Sequence, residues 1–572
     1  MAARSYTSSY VSGASAVPLL GETIGQQLDH TAAQFPDRLA LVVRSQKVRL
    51  TWRELRDAVD RLATGLLAIG LEPGDRVGIW SPNNAEWLLT QLATARAGLV
   101  LVCINPAYRQ HELDYALNKA GCRALVTATA FKTSDYTAML MELLPELAHG
   151  AAGQLRAARV PSLRSVVQIG AHSLPGSFAF ADVMARGGAA ERARLIALAD
   201  HLQFDEPVNI QFTSGTTGSP KGATLTHHNL LNNGFFCGET MRYTEQDRLC
   251  IPVPLYHCFG NSIGVMACLT HGTAMVFPGE GFDPLAVLQT VQEERCTSLY
   301  GVPTMFIAEM AHPDFDQYDL SSLRTGMMAG SPCPIEVMRR AISLMHLTEI
   351  TIGYGMTETS PVSFQTVIDT PIERRVSTVG TIHPHMEAKV IDAEGRIAPV
   401  GTPGELCTRG YAVMLGYWDD PERTAQAIDR AGWMHTGDLA TIDTEGYCAI
   451  VGRIKDMVIR GGENVYPREI EEFLYKHPDI VDVQVFGVAD AKYGEEVCAW
   501  IKLRDDATMT PEEVRAFCRD RIAHYKVPRY IRFVREFPMT VTGKMQKYLM
   551  REAMERELAG EASAHGSPEL AT

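Results

Sequence analysis

A ten-residue run, Thr213-Ser214-Gly215-Thr216-Thr217-Gly218-Ser219-Pro220-Lys221-Gly222, constrains this chain more than any other stretch. It lies between two apolar segments, 208–212 and 223–226, that read as strands. Glycines let backbone N–H groups approach an anion, hydroxyls add donors, and a lysine adds charge. That combination predicts a phosphate cradle rather than an ordinary glycine-rich surface turn. It is not the GxxxxGK[ST] loop that opens a helix, because Lys221 is followed by Gly222 and a strand-like segment. A P-loop motor or kinase is therefore disfavoured. Thr226 or Asn229 is expected to cap the helix that follows.

Around this loop, short apolar segments alternate with amphipathic ones. Residues 39–43, 76–80, 99–104 and 124–127 read as strands. Residues 51–70 read as a helix: Thr51 and Glu54 form a capping-box pattern, Leu55, Val59, Leu62 and Leu66 share a face, and Gly70 can close the end. Alternation of this kind predicts βαβ units and a largely parallel sheet. The Gly/Ala-rich stretch 148–158 reads as a surface connection. Beyond about Lys455 the pattern changes to helix 469–476, strands 480–488 and 497–503, a helix capped by Thr510 with Pro511 and Glu513, a strand 530–534 and a last helix. The expectation is an α/β protein: a large N-terminal domain of βαβ-type sheets with a smaller β subdomain over 21–454, and a mobile α+β domain over 455–558. Residues 1–20 and 559–572 are expected to be disordered tails.

A chain of 572 residues is too long for a single core, which agrees with that division. Its formal charge of -14 lacks the basic footprint of a nucleic-acid binder, so phosphates must be held by local features. Twelve scattered cysteines with no CxxC or Cys/His ligand spacing argue against zinc and for free thiols in a reducing compartment. No stretch reaches the roughly 18 apolar residues of a membrane span; residues 253–277, broken by Pro254, His257 and His271, read as a buried element. The expected location is the cytoplasm, with the mitochondrial matrix as the alternative if the acid-free first 21 residues are a transit segment.

Further motifs follow the loop in order. Tyr354-Gly355-Met356-Thr357-Glu358 offers an aromatic face, a hydroxyl and a hard oxygen ligand, although a strand end with a helix cap would read the same way. In Trp433-Met434-His435-Thr436-Gly437-Asp438, a carboxylate can accept two sugar hydroxyls, and Arg453 lies 15 residues on. Gly461-Gly462-Glu463 could be a close-approach loop or a plain β-turn. Thr542-Gly543-Lys544 places a lysine on a turn.

Taken together, these motifs resemble the adenylate-forming (AMP-binding) enzymes, specifically the acyl-CoA synthetase branch, and most of all its medium-chain acyl-CoA ligases. The likeness runs over about residues 20–555. It implies that Thr213, Ser214, Gly215, Thr216, Thr217, Gly218, Ser219, Pro220 and Lys221 hold ATP, with Gly330, Tyr354 and Thr357 around the nucleotide and Asp438 and Arg453 on the ribose. It implies Lys544, Glu358 and Thr217 as catalytic residues, with Glu358 and Thr213 toward Mg2+. Lys455 takes the hinge position, and Gly461, Gly462 and Glu463 the loop that admits CoA. His257, Gly301, Met327 and Gly355 fall at the acyl pocket, where His257 reads almost equally well as a hydrogen-bonded core histidine. No aspartate stands between Tyr256 and Gly264 to pair an α-ammonium, which argues against amino acids. Gly355, where acetate-specific relatives carry tryptophan, implies an acid longer than acetate. The implied reaction joins a carboxylic acid to CoA through an acyl-adenylate, with ATP, Mg2+ and CoA as the small-molecule partners. A medium-chain fatty acid is the leading substrate; branched and aryl acids, or loading of a separate carrier protein, are the alternatives. An ATP-binding protein without turnover would be expected to lack Lys544 or Glu358, and nothing specifically suggests a luciferase-type oxygenase. A homo-oligomer is compatible with the sequence.

Overall fold

The computed structural model describes residues 6–170, 173–213, 220–461, 463–490, 492–519, 521–540 and 544–565, with side chains to 558. Two large sheets carry the N-terminal domain. In the first, Ser165–Gln168, Ala124–Thr127, Arg76–Trp80, Val100–Cys103 and Pro207–Thr213 run parallel in that order, and Lys221–Thr226 then pairs antiparallel on Pro207–Thr213. The strands are apolar on both faces because helices cover both sides. Val77, Ile79, Leu101 and Leu125 are almost fully buried. The second sheet has six successive parallel strands, from Glu349–Gly355 through Thr325–Ala329 and Ser298–Gly301 to Leu39–Val43.

The helix Trp52–Ala68 begins as the sequence predicts: Thr51 and Glu54 form a reciprocal capping box, and Leu55, Val59, Leu62 and Leu66 are each 0% exposed. Thr226 caps His227–Thr240, with Asn229 completing the box. Residues 253–277 are largely buried, as a wide helical turn followed by Val265–His271 and Ala274–Phe277, with Pro254, His257, Thr270 and His271 partly exposed.

A five-stranded antiparallel sheet forms the β subdomain, and here the sequence reading of the N-terminus needs correction. Tyr10–Ser12 is not a disordered tail but an edge strand paired with Met386–Ile391, and Val11 is 1% exposed in the core beneath. Three residues carry too little periodicity to be seen without their partner strand. At the other end, residues 559–565, expected to belong to a disordered tail, are instead the last part of the helix Lys547–His565.

After the strand Cys448–Arg453 and the turn Ile454–Asp456, the C-terminal unit builds its own sheet around the long hairpin Ile480–Asp490 and Gly494–Leu503. Its core gathers Val458, Ile470, Leu474, Val483, Val497 and Ile501, apart from the cores of the large domain.

Candidate active site

The loop opens where Pro207–Thr213 turns back as Lys221–Thr226, with Thr213 opposite Lys221 in register. The Thr213 hydroxyl donates to the Lys221 carbonyl at 3.4 Å. Ser214, Gly215, Thr216, Thr217, Gly218 and Ser219 lie outside the described residues. At the loop's exit the Pro220 carbonyl accepts the Tyr115 hydroxyl at 3.0 Å. Lys221 Nζ donates to Tyr417 Oη at 3.0 Å and sits 4.4 Å from the centre of that ring. Tyr417 in turn donates to Glu358 Oε1 at 2.8 Å. Burial and the Glu358 charge push the Tyr417 phenol far up, so it stays a protonated donor. Lys221, Tyr417 and Glu358 therefore form one chain of polar contacts joining the loop to the second motif. Sequence reading missed Tyr417, which lies 59 residues from Glu358 and is embedded in an unremarkable Gly-Tyr-Trp run.

Glu358 sits in the turn Thr357–Thr359, just past the strand Glu349–Gly355, and is 5% exposed. A carboxylate held by one neutral hydroxyl suits a hard divalent cation, so the donor chemistry fits Mg2+. The Tyr354 hydroxyl donates to Asp438 Oδ2 at 2.6 Å, and Arg453 Nε donates to Asp438 Oδ1 at 3.1 Å. Asp438 and Arg453 face each other across antiparallel strands, which is what brings a 15-residue separation into contact. Burial first, then the Asp438 charge, holds the Tyr354 phenol well above its ordinary range.

The structure also brings Lys544, 91 residues beyond Arg453, to this cluster. Thr540 and Lys544 bond to each other, with Thr540 N–H donating to the Lys544 carbonyl at 2.8 Å and Lys544 N–H donating to Thr540 Oγ1 at 3.1 Å. The Lys544 ammonium is within electrostatic reach of Cys258, Arg453, Glu358 and Asp438, and burial lowers its pKa. Burial, with a smaller contribution from Lys544, pushes His257 down to about 3, so its imidazole is neutral. Cys258 Sγ lies 3.6 Å from Thr357 Oγ1, tying the 255–260 segment to the second motif.

Around the expected acyl pocket, Met327 is 0% exposed and shares one apolar cluster with Tyr256, Phe259, Tyr300, Val302 and Met305. Gly330 has φ +88° and Gly301 lies against the Phe306 ring, where a Cβ would stand 2.9 Å from it. Gly355 reads differently from the sequence expectation. A Cβ there would lie 1.6 Å from the Pro361 carbonyl oxygen, so glycine is demanded by the close backbone of the neighbouring strand. Its identity does not by itself report the length of the acid.

Lys455 is exposed in the turn Ile454–Asp456, with its pKa lowered by partial desolvation and then by Arg453. Gly461 turns the hairpin from Val458–Arg460 to Glu463–Val465 with φ +59°, and Glu463 is exposed; Gly462 lies outside the described residues. The fold also groups residues that spacing did not: Glu405, Cys407 and His435 converge on adjacent strands. There His435 Nδ1 already pairs with Glu405 Oε2 at 3.0 Å and Gly437 N–H donates to Glu405 Oε1 at 3.3 Å. All twelve cysteines are free and buried.

The sequence model of the family described as AMP-binding enzyme matches residues 28–418, and that of the AMP-binding enzyme C-terminal domain matches 469–544. The medium-chain acyl-CoA ligase ACSF2, mitochondrial, of Danio rerio is 48% identical over 555 residues, 96% of this chain and 91% of the relative. The protein YngI of Bacillus subtilis is 49% identical over 536 residues, 93% of this chain and 97% of its own. Among solved structures, the anthranilate CoA ligase AuaEII in complex with anthranoyl-AMP superposes with a TM-score of 0.84 at 25% identity, covering 95% of this chain and 99% of that one. ATP-bound MatB from Rhodopseudomonas palustris gives 0.78 at 29% identity, covering 94% and 99%.

Proposed function

The chain belongs to the AMP-binding enzyme family, and we propose that it is an AMP-forming acid–CoA ligase acting on medium-chain fatty acids. ATP lies over the loop 213–222, its ribose against Asp438 and Arg453. The acid's carboxylate attacks the α-phosphorus, a P–O bond to pyrophosphate breaks, and acyl-adenylate forms. Mg2+ bound at Glu358 would supply charge neutralisation for the phosphates. Bringing two anions together is the electrostatic obstacle of this step, and Lys544 offsets it with a cation aimed at both. A neutral His257 beside that lysine adds no competing positive charge. In the second step the CoA thiolate attacks the acyl carbonyl and AMP leaves, after the small domain turns about Lys455 and brings the segment 461–463 to the place where CoA enters.

The observation that carries this reading is the convergence of Lys544 with Glu358, Asp438 and Arg453 from separate parts of the chain. The medium-chain assignment rests on the named activity of relatives such as the Danio rerio ligase. An AMP-release screen with CoA across straight, branched and aromatic acids of graded length tests it; a maximum at short or aryl acids would reject the assignment. Twelve free buried thiols support a reducing compartment, for which we propose the cytoplasm. Among the described residues no helix is long and apolar enough to cross a membrane.

A further inference from the structure

The helix Pro467–Leu474 carries four charged residues with a clear division of labour. Glu469 takes Lys526 Nζ at 2.6 Å and Glu471 takes Lys547 Nζ at 2.6 Å, both within the small domain. Arg468 and Glu472 point the other way. Arg468 Nη1 donates at 2.9 Å to the carbonyl of Ile450, on the last strand of the large domain's β subdomain. One turn further on, the Glu472 carboxyl faces the backbone N–H of Ile335, which partly offsets the upward push that burial gives its pKa.

Ile335 is the first residue of the large-domain helix Ile335–Leu344, whose own N-cap, Pro334, supplies no side-chain bond. A helix start leaves N–H groups unpaired and carries partial positive charge, so a carboxylate from outside serves both needs. The i, i+4 spacing puts Arg468 and Glu472 on one face, 3.8 Å apart, and their side chains are only 17% and 24% exposed. Both partners are backbone atoms of the large domain, and neither lies in the loop 213–222 or the motif 354–358.

We propose that Arg468 and Glu472 are positioning residues, a two-point clasp that holds the small domain in the orientation presenting Lys544 for adenylation. This rests on the two-step ligase reading, because only a domain that must turn between half-reactions has a use for a releasable hold. Any rotation of the small domain about Lys455 has to break both contacts. The clasp therefore favours the first half-reaction and has no part in the second.

The test uses the full-length enzyme and measures the half-reactions separately: acid-dependent ATP–pyrophosphate exchange, and transfer from synthetic acyl-adenylate to CoA. Wild type must perform both; failure there overturns the ligase reading itself. With that established, Arg468→Ala should slow exchange about tenfold, the effect of losing one hydrogen bond from a charged group, while acyl transfer stays at the wild-type rate or rises. Arg468→Lys, which can still reach the Ile450 carbonyl, should recover part of the loss. Glu472→Ala should repeat the split and provides the result if Arg468→Ala does not fold. Equal loss in both half-reactions, or unchanged exchange in both alanine variants, overturns the clasp and leaves the ligase reading standing.

Discussion

Replacing Tyr417 by phenylalanine removes one oxygen from the polar chain that joins the phosphate loop to Glu358. The ring stays, and with it the 4.4 Å contact to Lys221 Nζ and the packing of a side chain that is 5% exposed. What is lost is the 2.8 Å bond to Glu358 Oε1 and the 3.0 Å bond from Lys221. Glu358 is 5% exposed, so water does not readily replace the missing donor. Losing a hydrogen bond to a charged group costs about 1.5–3 kcal/mol, which corresponds to about 10- to 100-fold in rate if it is felt in the transition state. ATP–pyrophosphate exchange at saturating acid should fall by that factor in Tyr417→Phe. Transfer of a preformed acyl-adenylate to CoA, which no longer needs the β- and γ-phosphates, should change much less. Exchange at the wild-type rate in a folded Tyr417→Phe protein would refute the argument that this phenol orients Glu358.

Other residues give expectations of a different kind. Glu309 is buried in the second large-domain core with neither carboxylate oxygen hydrogen-bonded among the described residues, and burial pushes its pKa well up. A folded-state value above the unfolded one lowers stability as pH rises past the ordinary carboxylate range, so Glu309→Met should raise stability by about 1–3 kcal/mol at pH 7, read as a higher Tm; an unchanged or lower Tm contradicts this. Burial lowers His227 to about 4 and His257 and His383 to about 3. Below the ordinary value near 6.5 the unfolded chain binds more protons than the folded one, so stability falls as pH drops from about 6.5, by about 2 kcal/mol per histidine at pH 5. A Tm that stays level from pH 7 to pH 5 would show that these imidazoles are not held neutral.

The parts of this protein that were legible in its sequence are those set by local chemistry. The capping box at Thr51, the parallel strands at Arg76–Trp80 and Ala124–Thr127, and the Thr510 cap all need only neighbours within a few residues. Motifs with unusual composition, such as 213–222, announce a binding surface before any fold is known. What stayed hidden depends on distant partners. Tyr417 meets Glu358 only because Gly416–Tyr417 adds to the edge of Lys221–Thr226. Tyr10–Ser12 is a strand only beside Met386–Ile391. Gly355 has a second reason to be glycine, a backbone oxygen of Pro361 that no sequence pattern reveals. Arg468 and Glu472 carry no signal of their own in the sequence, because what they face, a carbonyl and an uncapped helix end, belongs to the other domain.

The central claim is that Lys544 serves adenylation and not thioester formation. The direct measurement is both half-reactions of Lys544→Ala under identical conditions. Acid-dependent pyrophosphate exchange should fall on the order of 10²–10³-fold, the loss typical of one preorganised charge, while synthetic acyl-adenylate and CoA are still converted to thioester at close to the wild-type rate. Exchange that survives the substitution, or thioester formation that falls in parallel with it, would contradict the account.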